Sequence, residues 1–374
     1  MGDQPLRVSL DTTFAGTNPT GVGLYSRRLA SQLRILAAEE NLALRCIGLA
    51  CRANLSSGLS AIVQEWPIYT QIAVPLTLAR HHTDIVHSTS HLGPLFSTAR
   101  GVVTVHDLLF IRYPRDYNPL WLAITKALLP SILRRAKAII VDSKTTALDI
   151  QHYYGTPKSK IHVIHPGLDR PSRLRYANLD QTAESGFNEA PYILCLGPWV
   201  GRKNLGVVID AFERLADRHD NLGLVITGNQ PRGMTGEGPV ELVRRLPQHV
   251  QRRVHLTGHL PSSKMQEVMR SASVLAYPSR FEGFGLPPLE AMHFGVPVVA
   301  ADTRVAHEVY DDAALYAPPD DPEKWAGVLE RALGDTALLQ KLKRAGLLRS
   351  GRYSWERCAQ QCIALYRQIQ SRKQ

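Results

Sequence analysis

Short apolar runs alternate with helical stretches along this chain, and that alternation constrains its fold more than any other feature. A short apolar run bounded by turn residues reads as a buried strand. The helical stretch after it carries the chain back to start a parallel neighbour. Strands are expected at Leu6–Leu10, Ala43–Leu49, Ile85–Ser88, Gly101–His106, Ala138–Asp142 and Ile161–Ile164. A loop rich in Gly, Thr and Pro covers Gly16–Gly23, and a helix runs from Tyr25 to Ala38. Residues 171–190 lose apolar periodicity and collect Ser, Asn, Gln and Asp, as a connection between domains does. The pattern then restarts, with strands at Tyr192–Leu196, Leu222–Thr227, His255–Gly258, Val274–Tyr277 and Val296–Ala301. Helices are expected at Leu205–Arg218 and Leu289–Phe294. The two series predict an α/β protein of two doubly wound, Rossmann-like domains, residues 1–180 and 188–352, facing each other across a cleft. In such sheets ligands bind beyond the carboxyl ends of the strands.

Length and charge agree with this division. At roughly 150 residues per domain, 374 residues make two domains, each able to bury a full core. The net charge of +11 suits an anionic partner. The first 187 residues carry more of the excess, with 20 basic side chains against 13 acidic ones. No apolar run is long enough to span a membrane, and the start MGDQPLRVSLDTT does not read as a secretory signal. Five cysteines, an odd and sparse set, read as reduced thiols of a cytoplasmic protein. Cys358 and Cys362 sit four apart on an expected helix with no further ligand types nearby, so packed thiols are expected there rather than a metal site.

Four segments carry the chemistry. In YPSRFEGFGLPPLEAMHFGVPVVAAD, Glu282 falls in a glycine-rich turn. Pro287 and Pro288 suit a helix start, which places Glu290 in the first helical turn. Free N–H groups there form an anion site, and the two carboxylates can accept bonds from vicinal hydroxyls of a sugar or ribose. On the residues alone a plain reading stands equally: Glu290 favours the helix dipole and Glu282 is solvated. In LGPWVGRKNLGVVIDAF, Arg202 and Lys203 lie between a strand end and a helix start. They either neutralise a diphosphate or form an ordinary basic loop. In DTTFAGTNPTGVGLYSRRLASQL, Gly21 and Gly23 open the first helix. Ser26 stands where a dinucleotide fingerprint needs its third glycine, so a tight turn explains them as well. In TVHDLLFIRYP, His106 follows a strand, a place where a lone histidine is usually structural.

The run EGFGLPPLEAM followed by GVPVVAAD resembles family 4 of the retaining glycosyltransferases, whose signature is a Glu, seven residues and a second Glu. The resemblance implies the GT-B fold. It implies that Glu282 contacts hydroxyls of the donor sugar and Glu290 the nucleotide ribose, with Gly283, Phe284, Gly285 and Leu286 near sugar and diphosphate. The R-K-N stretch is similar to the family's phosphate-binding segment, which implies that Arg202 and Lys203 hold the donor phosphates. Many members carry an Arg directly after the preceding glycine, where this chain has Pro198. The N-terminal loop is similar to the family's glycine loop, which implies that Gly21 and Gly23 lie over the diphosphate. The H-D-L form implies that His106 contacts the transferred sugar, with Asp107 supporting the loop or orienting the acceptor. YSWERCAQQCIALYRQI resembles the closing helix, which implies that residues 353–374 pack back on an N-terminal, acceptor-binding domain. The H-D-L form and the glycine loop look most like bacterial mannosyltransferases that build O-antigen chains.

The implied reaction moves a hexose, with retained configuration, from a nucleotide diphosphate sugar to a hydroxyl of a glycan or lipid-linked acceptor. GDP-mannose is the leading donor by subgroup, and UDP-sugars stay open. No cofactor or metal is expected, because cations take the place that Mg²⁺ fills in other transferases. Asp311-Asp312 and Asp320-Asp321 are expected as surface pairs flanking a short strand far from the site loops. The stretch 117–137 is apolar with a basic end, suited to resting on the inner face of the cytoplasmic membrane or to facing the core. Competing readings are a sugar-nucleotide epimerase, a phosphorylase, and a non-enzymatic nucleotide or nucleic-acid binder. The first two leave the Glu282/Glu290 spacing and the R-K-N stretch without a role. No helix-turn-helix, zinc spacing or aromatic-basic motif supports nucleic acid.

Overall fold

The computed structural model describes residues 4–13, 15, 21–48, 69–169, 190–229 and 238–371. The chain forms two compact units, Met1–Gly167 with Tyr353–Gln374, and Leu168–Arg352. The division therefore falls at Gly167, ahead of the expected connection at 171–190, which lies almost wholly outside the described residues. Packing against the closing segment keeps Gly167 with the first unit. A Cβ at Gly167 would sit 2.2 Å from the backbone nitrogen of Trp355, so only glycine lets the chain pass there.

The first unit contains β1 (Leu6–Asp11), α1 (Gly21–Leu36), β2 (Leu42–Ile47), β3 (Ile85–Ser88), β4 (Arg100–Val105), α2 (Pro119–Arg135), β5 (Ala138–Val141), α3 (Lys144–Tyr154) and β6 (Ile161–Val163). Its sheet runs β2-β1-β3-β4-β5-β6 with every neighbouring pair parallel. β3 and β5 are buried throughout; β5 (Ala-Ile-Ile-Val) therefore reads as an unbroken apolar run, while β3 carries His87 and Ser88 into the buried layer. The helix expected from Tyr25 begins four residues earlier, so Gly21 and Gly23 sit in its first turn rather than in a loop. The stripe Tyr25, Leu29, Leu33 and Leu36 packs α1 on the sheet. The rest of the expected glycine loop, residues 16–20, lies outside the described residues, as do Leu49 and Cys51.

The second unit contains β7 (Tyr192–Cys195), α4 (Leu205–Ala216), β8 (Gly223–Thr227), β9 (Val254–Gly258), β10 (Val274–Tyr277), α5 (Leu286–His293), β11 (Val298–Ala301), β12 (Leu315–Ala317), α6 (Pro322–Gly334) and α7 (Thr336–Ser350). Its parallel sheet runs β12-β11-β10-β7-β8-β9. The chain order reverses between β7 and β10, the kind of switch point beyond which ligands bind in open α/β sheets. The core gathers Phe212, Leu215, Ile226 and Trp325 between sheet and helices. α8 (Trp355–Ser371) returns to the first unit, where Trp355, Cys358, Cys362 and Tyr366 join the core cluster of α1. Both cysteines are buried thiols, as expected of packed side chains. Among the described residues no helix is long and apolar enough to cross a membrane.

Candidate active site

In the second unit the sheet register brings the predicted cations and carboxylate together. Cys195 of β7 stands beside Ala276 of β10, so the loops that follow each strand start side by side. After β7 a single 3₁₀ turn, Gly201–Lys203, presents both cations. Asn204 then takes a left-handed conformation, φ 54°, and starts α4. Its amide Nδ2 donates to the Pro319 carbonyl at 2.6 Å. The loop after β10 is tied to this turn by its backbone: the Arg280 amide donates to the Arg202 carbonyl at 2.9 Å.

Glu282 is the focus of that loop. Its Oε1 accepts from Lys203 Nζ at 2.6 Å, Ser279 Oγ at 2.6 Å, Tyr277 OH at 3.0 Å and Arg202 Nη1 at 3.4 Å. Lys203 also donates to the Tyr277 hydroxyl at 3.0 Å and is only 7% exposed. Burial alone would raise the Glu282 carboxyl pKa, but Lys203, Arg202 and the donors outweigh it and hold it below its ordinary value. Burial, opposed by Glu282 and helped by Arg202, pushes the Lys203 ammonium below its ordinary value. Buried charges persist when paired and hydrogen-bonded, and these are. Tyr277 and Ser279 escaped the sequence reading. The available signal was position: one ends a strand, the other lies two residues on, within reach of a carboxylate three residues further.

Glu290 is placed differently. The helix starts at Leu286, so Glu290 falls in the second turn, not the first, and Pro287 and Pro288 occupy positions inside that start. Prolines lack N–H groups, so this helix end offers fewer free amides to an anion than expected. Glu290 is half-buried. Burial, reinforced by the Asp169 charge, raises its carboxyl pKa to about 7. Gly285 caps the helix at φ 89°, and a Cβ there would lie 2.1 Å from the Tyr310 hydroxyl, which donates to the Gly285 carbonyl at 3.0 Å. Gly283, Phe284 and Gly285 are all buried, so the turn packs into the unit as a whole. The acidic pairs need a correction. Asp320 is not far from the site loops: it forms an ion pair with Arg280, two residues before Glu282. The Pro319 carbonyl contact brings the β12–α6 loop alongside both.

In the first unit, β4 and β5 pair with Val105 beside Val141, so the next residues, His106 and Asp142, emerge together. His106 Nδ1 lies 2.7 Å from Asp142 Oδ2, and Nε2 lies 3.1 Å from the Thr89 carbonyl. Both partners are acceptors, an arrangement that favours the doubly protonated ring. Burial alone would lower its pKa, but Asp142 and the Thr89 carbonyl raise it above the ordinary value. The Tyr25 ring packs edge-on at 4.7 Å. Asp107 accepts from the Leu109 amide at 3.0 Å and so supports its loop. Nothing in the sequence singled out Asp142 or Thr89; only the register does. Among the described residues no group of three or more His, Cys, Asp or Glu is arranged to hold a metal.

Two parallel doubly wound sheets of this kind define the GT-B architecture. The chain superposes on sucrose-phosphate synthase from Thermosynechococcus elongatus with a TM-score of 0.72 at 20% identity, over 99% of this chain and 100% of that one. It superposes on Anabaena Alr3699/HepE in complex with UDP-glucose with a TM-score of 0.67 at 18% identity, over 96% and 97%. In sequence, residues 179–349 match the glycosyl transferases group 1 model and residues 62–170 the Glycosyltransferase Family 4 model. The chain belongs to the family 4 glycosyltransferases. It is 27% identical to the O-antigen chain mannosyltransferase B of Escherichia coli, over 93% of this chain and 96% of that protein. It is 28% identical to the D-inositol 3-phosphate glycosyltransferase of Jonesia denitrificans, over 63% of this chain and 58% of that protein.

Proposed function

We propose that this chain transfers a hexose, with retention, from a nucleotide diphosphate sugar to a hydroxyl of a glycan or lipid-linked acceptor in surface polysaccharide synthesis. The observation that supports it is the convergence of Arg202, Lys203 and Glu282 at the carboxyl ends of β7 and β10, with Glu290 on the following helix. The bond from the anomeric carbon to the phosphate oxygen breaks, and a bond to the acceptor oxygen forms on the same face. The acceptor proton passes to a phosphate oxygen, so no protein nucleophile is needed. Lys203 and Arg202 stabilise the departing diphosphate as preorganised charge. Glu282 reads hydroxyls of the sugar and Glu290 those of the ribose. His106 is proposed to present its charge to the substrate. Lys203→Ala is expected to lower kcat by about a hundredfold or more.

The donor is proposed to be GDP-mannose, a reading supported by mannosyltransferases among the relatives, including the one from Escherichia coli and RfbU of Salmonella typhimurium. A UDP-sugar is the second reading, supported by the UDP and UDP-glucose complexes of the Anabaena protein. Thermal melting against GDP, UDP, dTDP and ADP, then the matching sugars, decides between them. A ligand at 100 times its Kd should stabilise by about 2.7 kcal/mol. A shift with one base, lost in Lys203→Ala and Glu290→Ala, names the nucleotide and places the site. No shift with any base overturns the reading. Peripheral membrane contact through 117–137 belongs to the same proposal: Leu120, Lys126, Arg134 and Arg135 are exposed on α2, while Leu129, Ile132 and Leu133 are buried. Co-sedimentation with anionic but not neutral vesicles is the expected result.

A further inference from the structure

We propose that Glu282 is the phosphate cradle's own counter-anion: without donor it occupies, on Lys203 and Arg202, the place the diphosphate takes, and Tyr277 and Ser279 are positioning residues that hold it there. The inference rests on reading those cations as diphosphate ligands. Every contact the structure records for the Glu282 carboxylate falls on one oxygen, Oε1, and there are four of them. A carboxylate oxygen has two lone pairs, so Oε1 is saturated. Lys203 has three N–H donors, and two already point at Glu282 and Tyr277. A buried ammonium needs an anion when no ligand is present, and this carboxylate is the anion on hand.

A diphosphate arriving with two or more negative charges meets a site with two cations and one fixed carboxylate. Like charges at this range repel strongly, so Glu282 and the phosphates cannot share Lys203 without loss. The backbone bond from Arg280 to Arg202 pins the loop, so a turn of the Glu282 side chain is enough to clear the cations. A sugar attached to the diphosphate then supplies hydroxyls as new donors to the displaced carboxylate. A nucleoside diphosphate without sugar supplies none. The same device therefore favours the sugar nucleotide on entry and weakens the hold on the spent diphosphate.

The test is calorimetric titration of the full chain with inorganic pyrophosphate, with chelator present, for wild type, Glu282→Gln and Ser279→Ala. Removing the competing charge in Glu282→Gln is expected to tighten pyrophosphate binding on the order of tenfold. Ser279→Ala, which only loosens the carboxylate, is expected to tighten it roughly threefold. With sugar nucleotide, Glu282→Gln is expected to lose kcat while inhibition by the nucleoside diphosphate grows. Unchanged or weaker pyrophosphate binding in both variants overturns the inference, because Glu282 then merely shapes the loop. Absence of pyrophosphate binding in all three proteins overturns it as well. If pyrophosphate behaves as expected but no nucleoside diphosphate binds more tightly than pyrophosphate, the counter-anion stands and the sugar-nucleotide reading falls.

Discussion

Glu290 differs from Glu282 in what surrounds it, and the difference is measurable as a pH effect. Glu282 is surrounded by cations and donors, whereas Glu290 is half-buried, and burial reinforced by the Asp169 charge raises its pKa to about 7. A raised carboxyl pKa makes ionisation unfavourable in the folded state, so stability is lost as pH climbs from the unfolded value near 4.5 to about 7. The melting temperature of Glu290→Gln relative to wild type should therefore rise between pH 5 and pH 8. Ribose hydroxyls donate to the ionised form, so nucleotide affinity in wild type should increase through pH 7, and this increase should shrink in the variant. The His106–Asp142 pair gives a second test. Both side chains are largely buried, 15% and 8% exposed, and breaking such a pair typically costs about 3 kcal/mol. Asp142→Asn should lower stability by roughly that amount in denaturant unfolding. Because His106 is raised, the contribution should be full below about pH 6.5 and fade as pH rises through its folded value.

At the level of the element, the short helix after the glycine turn is held by what precedes it. α5 has only eight residues, two of them prolines near its start, so its position depends on the Gly285 cap more than on its own hydrogen bonds. Gly285→Ala places a Cβ against the Tyr310 hydroxyl and forces a left-handed residue to carry a side chain. A loss of about 2 kcal/mol or more is expected by thermal or denaturant unfolding, with a further loss of nucleotide affinity as Glu290 shifts. The Arg280–Asp320 ion pair and the Asn204–Pro319 bond brace the same loops from β12. These braces join residues 40 and 115 positions apart in the chain.

For the molecule as a whole, the chain's end completes its beginning. α8 buries Trp355, Cys358, Cys362 and Tyr366 against α1 and the first sheet. Tyr366 OH lies 2.6 Å from His87 Nδ1, whose other nitrogen meets Thr104 Oγ1 at 2.7 Å. Burial, with a smaller push from His106, lowers the His87 pKa to about 3, so it stays neutral near pH 7. Tyr366→Phe leaves a buried imidazole nitrogen without its partner and should cost about 1–3 kcal/mol, read as a lower melting temperature. The lowered pKa also predicts that stability falls as pH drops from about 6.5 toward 3, with a shallower slope in His87→Gln.

Most strand positions were legible from apolar runs to within a residue or two, because strands buried on both faces carry no polar alternation to confuse the pattern. The places of Arg202, Lys203, Glu282, Glu290 and His106 in the stretches after strands were legible too, but the residues alone left a plain reading open for each, and only the family resemblance singled them out. Their partnerships were not legible. That Glu282 rests on Lys203, that Tyr277 and Ser279 close around it, and that Asp142 stands under His106 follow from β7 pairing with β10 and β4 with β5. Strand order is chosen by packing across the sheet, not by neighbours along the chain. Which residues could act was therefore written in local sequence, while which of them meet, and in what charge state, was decided by non-local pairing and by the burial that pairing creates.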